Sequence, residues 1–135
     1  EMVRVTRSGG SVVVADPDWG TLVVDHPGDR ALTRKILNYI CDHYATNGWM
    51  GRQSFRRLKL AGLRDVSAEI VTGPATDFST AGPVLHIVTC PNDMVQAGEL
   101  SAEEAAAWLE SLRQADQRGH FFCGISMFIV RGQKP

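Results

Sequence analysis

The spacing of apolar and polar positions divides the chain into alternating strand-like and helix-like stretches. Ser11 to Ala15 is a continuous run of small and β-branched residues, which predicts a strand covered on both faces of an α/β sheet. Gly9-Gly10 before it suits a tight turn. Asp16-Pro-Asp-Trp-Gly20 after it reads as a carboxylate-rich loop at the strand's carboxyl end, where open α/β sheets place their ligands. Thr21 to Val24 reads as a short extended piece broken by Pro27-Gly28. Residues 2 to 7 are too few to classify.

The period then changes. Leu32, Ile36, Ile40 and Tyr44 recur every four residues, with Leu37 and Cys41 widening the stripe, so a helix is predicted from Asp29 as N-cap to about Thr46. Arg34, Lys35, Asn38 and Asp42 fall on its water side, and Asn47-Gly48 ends it. A second helix is predicted from about Gln53 to Ala61, stopped by Gly62, with Phe55, Leu58 and Ala61 inward. Leu63 to Thr72 reads as a strand in which Val66, Ala68 and Ile70 point inward. Residues 73 to 83 read as a connecting loop. Val84 to Cys90 fits either a strand or a helical turn, with helix favoured and Pro91 as an interruption. Ser101 and Glu104 form a capping box for a helix from Ala102 to Arg118, closed by Gly119. Its inner edge is Ala105, Trp108, Leu109, Leu112 and Ala115 or Asp116. The final run, Phe121 to Arg131, is apolar enough for a strand inside the sheet.

Composition narrows the class. With 135 residues, 44% of them hydrophobic, the chain suits one α/β domain with a real core. A net charge of −1 gives no basis for nucleic-acid or membrane-surface binding. The cluster Arg52, Arg56, Arg57 and Lys59 fits a solvated helix face. Three scattered cysteines, Cys41, Cys90 and Cys123, point to reduced, buried thiols rather than a zinc site or a disulfide framework. Without a signal pattern or a spanning apolar run, the expected location is cytoplasmic.

In this order the pieces resemble a known family. Glu1-Met-Val-Arg-Val-Thr-Arg-Ser-Gly-Gly-Ser-Val-Val-Val-Ala-Asp-Pro-Asp18 is similar to the entry into the fifth strand of class I S-adenosylmethionine-dependent methyltransferases of the ubiquinone and menaquinone biosynthesis type. Leu60-Ala-Gly-Leu-Arg-Asp-Val66 resembles the step into the family's sixth strand. Met127-Phe-Ile-Val-Arg-Gly-Gln-Lys-Pro135 resembles its last, seventh strand. The resemblance implies a single domain over 1–135. Its partial Rossmann-like sheet would hold equivalents of strands five, six and seven, the seventh antiparallel between the others. Three to four helices would accompany the sheet, with a helical cap at about 76–119.

The match is to the C-terminal half only. The family holds its cofactor with a Gly-rich loop after the first strand and an acid after the second, and no stretch here has that pattern. The resemblance therefore implies no cofactor for this chain, although the full-length family uses S-adenosylmethionine, and it assigns no catalytic or metal-binding residue. What remains is the side that faces the methyl acceptor, which implicates Asp16, Asp18, Trp19, Trp49, Arg52 and Phe78 in binding a small molecule. The competing reading makes Asp16-Pro-Asp18 turn chemistry and Trp19 a core lid.

Three other readings compete with this one. Asp16-x-Asp18 after an apolar strand, with Asp25 and His26 nearby, is the carboxylate arrangement of a metal-dependent glycosyltransferase. A hydrolase lacks support, since no serine has a Gly-x-Ser-x-Gly setting. Cys41 and His43 point in different directions on one helix, and His26, His86 and His120 show no ligand spacing. The third reading is a non-enzymatic binding or assembly module. Loss of the fourth strand would leave the edge of strand 11–15 open, and a homodimer or intertwined oligomer would close it.

Overall fold

A computed structural model describes all of residues 1–135. Three strands, β1 (Ser11–Val24), β2 (Arg64–Ala75) and β3 (Cys123–Gln133), form one sheet in the order β1-β3-β2. The last strand runs antiparallel to both neighbours, with Val14, Val130 and Ala68 side by side across the middle. Six helices accompany them: α1 (Met2–Val5), α2 (Arg30–His43), α3 (Met50–Leu60), α4 (Phe78–Val84), α5 (Cys90–Gln96) and α6 (Ala102–Gln117). The fold is α/β, with the final strand in the centre of the sheet as its near-continuous hydrophobicity predicts. No helix is long and apolar enough to cross a membrane.

The first strand departs most from expectation. Asp16 to Gly20 is not a loop but part of β1, and Asp16, Pro17 and Asp18 pair with Phe128, Met127 and Ser126. The register slips only between Asp18 and Val23. Thr21 Oγ1 closes the irregularity by donating to Asp18 O at 2.7 Å and accepting from Ser126 N at 3.0 Å. Pro17 is tolerated because its missing N–H falls on the outer side of an edge strand. Two residues on, Trp19 N also points away from β3, donating to Gly48 O at 2.8 Å. Nor is β1 covered on both faces: Val12 is 4% exposed and Val13 57%, the alternation of a strand with one dry side.

That dry side belongs to a small cluster of Val12, Val130, Leu58 and Leu63, where α3 lies over one end of the sheet. Beyond it the cover stops, so Ile70 of β2 is 58% exposed rather than inward. The larger core is built by helices. Ile36 and Ile40 of α2, Trp108, Leu109 and Leu112 of α6, and Phe78, Ile87, Cys90 and Met94 meet Leu22, Phe121 and Cys123 where β1 ends and β3 begins. At its centre the Trp108 indole N–H donates to Thr33 Oγ1 at 2.9 Å, and that hydroxyl donates to Asp29 O. The three cysteines are free and buried. Burial pushes the Cys90 thiol up to about 12.

Local signals explain most helix bounds. Asp29 caps α2 through Ala31 N and Leu32 N, and the Ser101–Glu104 box caps α6. Within the predicted connecting loop, Asp77 accepts from Ser79 N and Thr80 N and so starts α4. Pro91 opens α5 instead of interrupting a helix, since the first turn needs no N–H from it. These short elements raise the helix count from the expected three or four to six.

Candidate functional site

Asp18 projects from β1 beneath the first turn of α3 and is fully buried. Its Oδ2 accepts from Arg52 Nε at 2.5 Å and from Arg52 N at 3.1 Å. Its Oδ1 accepts from Arg52 Nη2 at 2.6 Å and from Gly20 N at 3.1 Å. Burial alone would raise the Asp18 pKa. The guanidinium and backbone bonds from Arg52, its charge and the Gly20 N–H outweigh burial and hold the carboxyl below its ordinary value. The same pairing raises Arg52.

Two glycines permit this close approach. A Cβ on Gly51 would lie 2.9 Å from Asp18 Cβ and 3.1 Å from Asp16 O. A Cβ on Gly48 would meet Cys41 O at 2.2 Å. Neither has room for a side chain, so the Asn47-Gly-Trp-Met-Gly51 turn can bring α3 directly onto β1.

On the outer side of the pair, the Trp49 ring lies 4.8 Å from the Arg52 guanidinium carbon, within cation–π reach. Trp49 is 51% exposed, and the Arg52 side chain is 41% exposed. Asp18 thus acts by holding Arg52, and Trp49 and Arg52 are the groups a ligand can touch. A flat indole beside a guanidinium with N–H groups to spare suits an aromatic ring carrying an acceptor group. With both oxygens of Asp18 engaged, the Asp16-x-Asp18 pair has one free carboxylate rather than two. No three His, Cys, Asp or Glu side chains converge on a metal-sized site.

Of the six residues singled out from sequence, Asp18, Trp49 and Arg52 come together. Asp16 is half-buried, opposite Phe128, and makes no side-chain hydrogen bond. Trp19 packs against His86 with ring centroids 5.6 Å apart, and His86 in turn lies 4.4 Å from Tyr44. Phe78 is a core residue, edge-on to Phe121 at 5.2 Å, because the loop expected around it is the helix α4.

The Tyr44 cluster carries no motif in the sequence. Tyr44 Oη donates to the Asp93 carboxylate, and burial together with Asp93 raises the phenol to about 12. His86 holds a left-handed backbone, φ 59°, an uncommon conformation for a non-glycine residue. Tyr44 was legible as a helix residue, but no spacing rule links it to positions 86 and 93.

No family model matches the chain. It is 32% identical over 133 residues to an uncharacterized 37.1 kDa protein in transposon TN4556 of Streptomyces fradiae. That match covers 98% of this chain and 37% of the Streptomyces protein, so the chain spans little more than a third of its relative's length.

Proposed function

We propose that the chain is the acceptor-side part of a small-molecule methyltransferase of the class I, S-adenosylmethionine-dependent type, unable by itself to bind the cofactor or transfer a methyl group. The observation that carries this reading is the strand order. A first strand enters through Gly9-Gly10, a last strand runs antiparallel in the centre and a third lies beyond it, the 5-7-6 edge of such a sheet. The placement of the Trp49–Arg52 face against β1 supports it, because the acceptor in this fold lies beside the fifth strand. The coding sequence immediately upstream of Glu1 tests it. An in-frame Gly-rich strand–loop–helix there is expected. A stop codon just before Met2 would overturn the reading.

A second reading, a binding or assembly module, is favoured by one specific observation. Val13, Val71 and Met127 share a sheet face by register and are all exposed, and the outer edge of β1 is unpaired over Ser11 to Ala15. A second copy covering that face and edge would remove both defects.

A further inference from the structure

We propose that the groove between the outer edge of β1 and helix α2 binds a small anion with an apolar body, a carboxylate or phosphate carried on a ring or short chain. The groove holds about 480 Å³, in the range of small-molecule sites. Arg30, Arg34 and Asn38 recur every four residues along α2 and line one wall together. Leu22 and Val24 of β1, with Leu37, give it an apolar surface.

Two arginines set the charge of this groove. The ion pairs of the chain are Arg4–Glu1, Arg52–Asp18 and Arg113–Glu110, so neither Arg30 nor Arg34 has a carboxylate partner. Two like charges one helical turn apart destabilise a helix, and an anion bound between them would relieve that repulsion. Their planar guanidinium groups suit a carboxylate or phosphate, which can take two parallel N–H bonds. Asp25 is the one carboxylate lining the groove. His26, also on the wall, is kept below its ordinary pKa by burial and adds no charge at neutral pH, so the lining is net positive.

The groove also reaches the Trp49–Arg52 face. Gly20 lines its near end, and a Cβ there would lie 2.6 Å from Arg52 Nη2. The inference deepens the methyltransferase reading by naming an acceptor class. It is tested by binding without cofactor, so the two can fail separately.

The test is calorimetry on the 135-residue chain at low salt with phenylacetate, phenyl phosphate and the neutral 2-phenylethanol. At least one anion is expected to bind saturably, at least about tenfold more tightly than the alcohol, and more weakly as salt rises. The stronger of the two anions tells carboxylate from phosphate. The double variant Arg30→Gln/Arg34→Gln is expected to lose about tenfold or more in affinity. Its melting temperature should not fall, since neither arginine has a partner to lose. Absence of saturable binding by both anions, equal binding of the alcohol, or unchanged affinity in the folded double variant would overturn the proposal.

Discussion

Asp18 shows how one side chain ties a strand to a helix. It is buried, yet four hydrogen bonds meet its two oxygens, and replacing it leaves Arg52 N and Gly20 N without an acceptor. Asp18→Asn keeps the shape but loses the charge, and is expected to lower stability by about 2 kcal/mol, measured by urea unfolding. The pH dependence follows from the direction of the shift. The folded carboxyl titrates below its unfolded counterpart, so its stabilisation is complete above the unfolded value and is lost as pH falls through the folded one. Wild type should therefore lose stability progressively below about pH 4, and Asp18→Asn should lose less over the same range. Thr33 plays a comparable part in the helical core. Thr33→Val removes the acceptor of the Trp108 indole N–H and should cost about 1–3 kcal/mol in the same assay.

At the scale of elements, capping and periodicity made α2 and α6 legible. Asp29, the four-residue apolar stripe and the Ser101–Glu104 box are local signals, and local hydrogen bonds satisfy them. The central position of β3 was legible too, from hydrophobicity that an edge strand could not bury. Asp16-Pro-Asp, by contrast, has the composition of a break and yet continues the strand. Proline ends a strand that is paired on both sides, but β1 is paired on one, and that is a tertiary fact. The site was legible in part for the same reason. The methyltransferase resemblance implicates Asp18, Trp49 and Arg52 by their position in the chain, whereas their meeting depends on Gly48 and Gly51, whose role is the side chain they lack. Gly51→Ala should cost about 1–3 kcal/mol, because its Cβ meets backbone and Asp18. Gly73→Ala is the matching control, since its Cβ would find only Ile125 O at 4.0 Å.

The whole molecule exposes more surface than its mass requires. A compact monomer of 14.8 kDa has an accessible area of roughly 7,000 Å², while this chain shows 8100 Å². The excess, on the order of 1,000 Å², is comparable to the roughly 800 Å² that each partner contributes to a stable interface. It is expressed in the bare face of Val13, Val71 and Met127 and in the near-complete exposure of β2. Sedimentation velocity at micromolar concentration is expected to show a dimer or larger species, and a stable monomer would count against a second copy as the cover.

Under the proposed function, the chain carries the acceptor side of a methyltransferase without the cofactor side. The most direct test is a calorimetric titration of the 135-residue chain with S-adenosylmethionine. No binding heat is expected up to millimolar ligand. Saturable binding with a micromolar Kd would contradict that reading.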